Sequence, residues 1–268
     1  MALIDPLTAF AAIKTGISLV ERGIKAGKEL HELASPIMKW ASNEAHLETH
    51  SSRKGNTGFL GKFTGVEQDA IAAFIRKQEI EKKIWDLLTK AVKDRSSEFR
   101  TPVFICGNDK DLDGRVVVLR KVDQQNNFIQ YHSDIRSSKI EKIKKNPNCS
   151  ILFYGKEEKI QLRVKAECQV NYNNDVTKES WEKTGHISRK CYLVTNGPGT
   201  ESEKPTSGLD NKFDNFDYTK DESEAGYKNF CVIRCKIKSI EWLYLAAKGH
   251  RRALIDLNGS KKFTWLVP

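Results

Sequence analysis

The chain has no apolar run approaching the roughly 18 residues that a membrane-spanning helix needs. Its start carries no basic segment of the kind that opens a secretory leader, and Lys14, Glu21 and Arg22 interrupt the apolar stretch that follows. The six cysteines, at 106, 149, 168, 191, 231 and 235, include no C-x-x-C pair, so no zinc motif is read and no metal is expected. Most of them fall in strand-like runs, where a reduced, buried thiol is the plain reading, and a cytoplasmic setting is expected. Cys231 and Cys235 are four apart on one strand, which gives them a common face but too much distance for a disulfide. No G-x-S-x-G elbow and no identifiable acid accompany His186 and Ser188 in "GHISRK", so hydrolysis is set aside. No internal repeat is found.

What is present suffices for a core. Of 268 residues, 39% are hydrophobic and 9% aromatic, enough for one large domain or a domain with an appendage. The net charge of +10 favours anionic partners: nucleic acid, a membrane surface or a phosphorylated small molecule. The basic residues are mixed with acidic ones and form no aromatic-interleaved stripe. No specific nucleic-acid partner is therefore expected, although a basic, flavin-free barrel that binds DNA in a salt-dependent way is kept as a rival.

The period of the apolar residues divides the chain. Residues 1–65 read as a helical extension ending in a Gly-rich linker. Asp5 and Pro6 make a helix start, Leu7, Phe10, Ile13, Ile17, Val20 and Ile24 form one stripe, and "SSRKGNTGFLGKFTG" follows at 51–65. A further helix is expected over Val66 to Val92. From "FRTPVFICGN" onward the period is mostly two. Strands are expected at Val103–Cys106, Arg115–Val122, Phe128–His132, Ser150–Tyr154, Lys159–Val170, Phe230–Leu245, Ala253–Leu257 and Phe263–Val267. Helices are expected at Ser137–Lys145 and Val176–Lys183, and the polar stretch 197–227 reads as loop. Many strands with few helices indicate an α+β fold, a β-barrel decorated by helices.

Four places could carry chemistry. In "GRVVVLRKV", Arg115 and Arg120 are five apart, which on a single strand puts them on opposite faces. They are not expected to grip one small group together. Ser137, Ser138 and Lys139 open the next helix, where free N–H groups already favour an anion; a phosphate cradle and a solvated surface both fit. Gln161 in "KIQLRVKAE" offers a donor and an acceptor, as a flavin edge requires, or is an ordinary polar strand residue. Arg251 and Arg252 in "GHRRA" are either solvated or an anion contact.

The order of these pieces carries more than any one of them. "DRSSEFRTPVFICGN", "GRVVVLRKV", "YHSDIRSSKIEKIKKNPNCSILFY", "KIQLRVKAECQV", "SWEKTGHISRKCYL", "KPTSGL", "NFCVIRCKIKSIEWLYL" and "GHRRALI" through "FTWLVP" follow in one line over residues 82 to 268. Together they resemble the pyridoxamine 5'-phosphate oxidase-like family, in its bacterial and cyanobacterial flavin-binding branch. The resemblance implies an FMN-binding split β-barrel with peripheral helices and FMN at a homodimer interface. A phosphorylated deazaflavin is the related alternative cofactor.

Position by position, the resemblance implies that Arg115 and Arg120 begin and end an Arg-x-x-x-x-Lys/Arg strand. Val116, Val117 and Val118 would then lie against the flavin. His132 and Ser133 match the pair ending the next strand, and Ser138 with Lys139 the phosphate-binding step. Gln161 matches the glutamine beside the isoalloxazine ring, and Ser188 with Arg189 a Ser-Arg step near the cofactor. Arg115, Ser133, Ser138 and Lys139 would surround the phosphate. Arg120, with Arg251 and Arg252, would face a small-molecule substrate.

The implied activity is FMN-dependent hydride transfer, with a non-catalytic FMN-binding module as the alternative. Three departures bear on the substrate or, for Leu254, on a cation that would hold the cofactor. Arg120 stands where the vitamin-forming enzymes have lysine, Leu254 stands where relatives often carry arginine, and residues 176–190 hold no matching Tyr/Arg/Ser substrate set. The first 65 to 80 residues lie outside this family and are similar to small helical proteins of marine tailed phages.

Overall fold

The structure, a computed structural model, describes residues 65–268 apart from 109, 216 and 217, together with residue 18. The expected helices before residue 65 and the Gly-rich linker lie outside the described residues. The chain divides into two units, Met1–Trp85 and Asp86–Pro268. Helix α1 spans Gly65–Lys93, close to expectation, and its last turns belong to the second unit. There Leu87, Leu88 and Ala91 are buried, and the Arg100 guanidinium donates to the carbonyls of Ala91 and Val92, capping the helix end. No helix among the described residues is long and apolar enough to cross a membrane.

The second unit is built on one antiparallel sheet. Its strands are β1 (Val103–Asn108), β2 (Asp111–Val116), β3 (Leu119–Asp123), β4 (Phe128–Asp134), β5 (Asn148–Gly155), β6 (Ile160–Asn171), β7 (Phe230–Tyr244), β8 (Arg251–Asp256) and β9 (Lys262–Leu266). They run in the order β2-β1-β5-β6-β7-β4-β3, with β8 pairing β7 and β9. The fold is α+β, a split β-barrel with helices before and around the sheet. Along β5 and β6 buried and exposed residues alternate, as expected where one face looks into a core. Strand β7 shows the split: β6 runs along one side, while the other side pairs with β4 over Phe230–Lys236 and with β8 over Ser239–Tyr244.

One expected strand is two. The run Arg115–Val122 breaks at residues 117 and 118, between β2 and β3. These strands stand at opposite ends of the sheet order, yet only two residues join them. Three virtual bonds reach about 11 Å at most, so the two ends of the sheet must meet. That closure makes the sheet a barrel, and the Val117 amide pins it by donating to the Pro102 carbonyl at 3.0 Å. The sequence pattern hides the break because an unbroken apolar run reads as one buried strand. The run is apolar here because it crosses a seam.

Helices α2 (Ser138–Lys145) and α3 (Asp175–Glu182) lie near their expected places. Asn174 and Thr177 form a reciprocal capping box at the start of α3. Trp181 of α3 then packs with Tyr192, Phe230 and Val232 in a small separate core. The stretch 197–227, expected as loop, also holds a short helix at Asn211–Asp214 and the start of a 3-10 turn at Glu222–Asn229.

The β1–β2 hairpin sets the position of Arg115, and Gly107 sets the hairpin. Gly107 has φ of +127°, and an added Cβ would run into the backbone carbonyl of Asp111. Gly107→Ala is expected to destabilise the unit by about 1–3 kcal/mol. Urea unfolding should show a lower midpoint at unchanged slope, and an unchanged midpoint would contradict this account of the hairpin.

Candidate functional site

A cavity of about 360 Å³ lies at the seam, lined by Arg115, Val116, Val117, Val118, Arg120, His132, Ser133, Asp134, Ser137, Lys139, Cys191, Tyr192 and Pro198. Arg115 and Arg120 reach it from different strands, so the opposite-face argument for a single strand does not hold. The seam brings the two guanidinium groups to one space. Their separation in sequence reflects the chain crossing between sheet ends.

At one side stands Lys139, only 9% exposed. Its ammonium donates to the hydroxyls of Ser133 at 2.7 Å and Ser137 at 2.9 Å. Arg115 reaches the same Ser137 hydroxyl at 3.4 Å and pairs with Asp113. Ser137 is the N-cap residue of α2, yet its side chain makes no capping bond. Its hydroxyl instead accepts from two cations. Among the described residues no carboxylate lies within ion-pair distance of Lys139 or Arg120, and the buried Nε atoms of Arg115 and Arg120 have no partner. Burial, then the neighbouring Arg115 charge, pulls the Lys139 ammonium below the ordinary lysine range. Burial likewise lowers Arg120. A buried ammonium held by two hydroxyls and crowded by a guanidinium is stabilised most by an anion with several oxygens.

His132 and Tyr192 line the same cavity. Burial, with Arg120 adding to it, drops the His132 imidazole to about 3, so it is neutral in ordinary buffers. Its ring meets Phe230 edge-on at 4.9 Å between centroids. Burial raises the Tyr192 hydroxyl. Tyr192 and Cys191 reach the cavity because the Trp181 core fixes the turn that carries them.

Several expected residues are placed elsewhere. Ser138 is exposed at the first position of α2 and does not line the cavity; the inward serine is Ser137, one residue earlier. Arg136 is held by the Asp134 carboxylate and the carbonyls of Val194 and Thr195, tying the end of β4 to that loop. Arg189 is 1% exposed and fully engaged. It donates to the carbonyls of Thr184 and Trp181, pairs with Glu224 and stacks over the Trp181 ring, so its charge is spent on packing. Ser188, beside it, does not line the cavity. Gln161 lies on β6 opposite Tyr154 and Leu243. Arg251 and Arg252 lie on β8, which starts before the expected Ala253–Leu257 strand, and Arg252 pairs with Glu241; Leu254 lies on the same strand. None of these lines the cavity. Sequence reasoning placed Ser137 at the helix start without counting it among the cofactor contacts, and it missed Asp134, Cys191, Tyr192 and Pro198 altogether. Only Ser137 had a visible signal, its place at a helix start.

Residues 82–172 match the family model described as pyridoxamine 5'-phosphate oxidase, FMN-binding domain. The match covers this segment alone, and the model it matches is that of an FMN-binding domain. The segment carries Arg115, Arg120, His132, Ser133, Ser137 and Lys139, whereas Ser188, Arg189, Arg251 and Arg252 fall beyond it. FMN is the cofactor of the matched domain, and the cation-lined cavity fits its phosphate. Among solved structures, a pyridoxamine 5'-phosphate oxidase-related FMN-binding protein from Nostoc punctiforme is 16% identical with a TM-score of 0.55, over 68% of this chain and 94% of that one. PhzG from Burkholderia lata, solved with tetrahydrophenazine-1-carboxylic acid, is 15% identical with a TM-score of 0.52, over 70% of this chain and 91% of that one. No curated protein matches.

Two predictions follow from the charged groups. Arg189→Met should lower stability by about 2–4 kcal/mol, because two buried carbonyls lose a charged donor. Cofactor affinity of the folded fraction should stay unchanged, and calorimetry with FMN titration reads both. For His132 the folded value, about 3, lies below the unfolded 6.5. The unfolded chain therefore binds the proton first as pH falls, and stability drops from about pH 6.5 towards 3. His132→Gln should flatten that slope between pH 7 and 5, and an equally steep loss in the variant would refute the assignment.

Proposed function

We propose that the protein is an FMN-dependent oxidoreductase of the pyridoxamine 5'-phosphate oxidase type, passing a hydride between a small-molecule substrate and the flavin. The observation that carries this reading is the buried Lys139 ammonium, with Arg115 beside it and no carboxylate partner for Lys139 among the described residues. Bound FMN would supply the two-electron carrier. The chain's own work is to bind and orient. Lys139, Arg115, Ser133 and Ser137 would hold the phosphate, and Ser138 would contribute from the helix start. The Val116–Val118 crossing would give an apolar wall with backbone amides at its edge.

Arg120 would present a fixed positive charge to the ring or to an anionic substrate. His132, neutral, would offer either a hydrogen-bond donor or an acceptor. Leu112 and Val116 are 70% and 64% exposed on edge strand β2, beside the cavity. These support a second copy of the chain as its cover. Gln161, Ser188, Arg189, Arg251 and Arg252, absent from the cavity of their own chain, are assigned in this reading no direct phosphate contact; Gln161, Arg251 and Arg252 would serve the second copy. Five buried free thiols fit a reducing, cytoplasmic compartment.

The test is a visible absorption spectrum after FMN is added and the protein desalted. Wild type should retain flavin absorbance, and Lys139→Met should bind FMN about 10–100-fold more weakly through loss of a charge-assisted contact. Wild type without flavin at low salt, or Lys139→Met binding as wild type, would sink the reading. Turnover of the bound flavin by a reductant and an acceptor separates an oxidoreductase from a flavin holder.

A further inference from the structure

The barrel interior holds a row of thiols that the cavity does not use. Cysteines occupy one inward level on four consecutive strands, β1, β5, β6 and β7. Cys106 stands opposite Cys149, and Cys168 opposite Cys235. Cys149 stands opposite Ala166, one inward position from Cys168. All four are buried. The Cys168 sulfur lies 2.9 Å from that of Cys149 and 3.0 Å from that of Cys235, and all three sulfurs fall within 4.8 Å of one another. The next strand, β4, adds Tyr131 to the same region. Tyr131 is 1% exposed and its hydroxyl has no hydrogen-bond partner. Burial, and then the nearby Cys235, Cys149 and Cys168 sulfurs, push this hydroxyl well above the ordinary phenol range. A buried hydroxyl without a partner is uncommon and marks a place where something else is accommodated.

We propose that Cys149, Cys168 and Cys235 bind one thiophilic d10 metal ion through three thiolates, with the Tyr131 hydroxyl donating to a ligating sulfur. Thiolate sets select Cu(I) and Zn(II) over harder ions. With metal–sulfur bonds of about 2.3 Å, three ligands of one ion stand about 4 Å apart, so the sulfurs need open by only about 1 Å. Structural zinc takes four ligands, but the group here has three, and the Cys106 sulfur lies outside it. Cu(I), content with three thiolates, is the ion expected. Each thiol entering the site releases its proton to solvent, and no electrons move, so the ion must arrive as Cu(I). The Cys168 thiol already donates towards Cys149 and lies equally close to Cys235, so the three sulfurs are gathered before any ion arrives. The added negative charge is eased by the Tyr131 hydroxyl, which has no other partner. C-x-x-C spacing cannot reveal such a set, because its ligands come from three strands and meet only through register.

The site is buried, so the ion enters as the barrel folds. The full chain should be unfolded with a phosphine reductant and refolded without oxygen, with Cu(I) in one arm and Zn(II) in the other, then desalted. One copper per chain is expected, with three sulfurs at about 2.3 Å by X-ray absorption. Cys191→Ala should keep it, Cys168→Ala should lose it, and Tyr131→Phe should weaken it. Flavin retention, read in parallel, should not follow metal content. No retained copper, equal copper in Cys168→Ala, or a disulfide among the three cysteines in the purified protein would overturn the proposal. Zinc retained with a fourth sulfur in place of copper would overturn the three-coordinate assignment. Should Cys168→Ala fail to refold, the wild-type absorption spectrum still decides: a nitrogen or oxygen shell contradicts a thiolate site.

Discussion

Residues 117 and 118 impose a constraint from which most of the second unit follows. Two residues cannot bridge the ends of a sheet unless those ends touch, so the sheet has to curl until β2 and β3 meet. Curling produces the inside on which Phe104, Tyr131, Ile151 and Leu162 bury their side chains. It also leaves a seam, because a two-residue crossing cannot continue a hydrogen-bonded ladder. The cavity lies at that seam. Arg115 before the crossing and Arg120 after it are thereby delivered to one space, each with a buried Nε that the barrel does not satisfy.

Charge at this seam is arranged asymmetrically. Arg136 and Arg189 show what the fold does with a cation it needs for itself: each is given a carboxylate and backbone carbonyls. Lys139 is given two hydroxyls. Because hydroxyls are neutral acceptors, they hold the ammonium in place without cancelling its charge. A buried cation left so is a standing penalty in the free protein, and an incoming dianion removes it. The neutral His132 belongs to the same balance, since a second positive charge beside Arg120 would have to be desolvated as well.

The strands were legible where one face is buried and the other wet. Alternation along β5 and β6, and along most of β7 after its apolar start, follows from that environment alone. The break within "VVVLR" was not legible, because closure of a sheet is a property of strand order, which no local period encodes. The choice between Ser137 and Ser138 was lost for a related reason. Both sit at a helix start, and only the angle between α2 and β4 decides which hydroxyl meets Lys139. Arg189 could not be placed from the sequence, because a serine-arginine step looks the same whether its guanidinium faces a ligand or an indole; in the structure it lies over Trp181, eight residues before it. Resemblance over an ordered set of segments reached the cofactor class where spacing could not.

Period two also explains why two polar sites coexist in so small a barrel. Along β4, inward positions carry Tyr131 and then Ser133, one step nearer the strand's end, while His132 between them faces the other way onto Phe230. Moving two residues along one strand thus passes from the thiol row to the cation cluster. Cys106 stands between the two, feeling Arg115 on one side and Cys149 on the other. Thiols suit that position. A cysteine packs as a small apolar group when protonated, and exposes charge only when a cation or a metal stabilises the thiolate. A barrel that concentrates positive charge at its mouth therefore gains from sulfur beneath it: the interior stays apolar, and the ligands most responsive to that charge lie one strand step away.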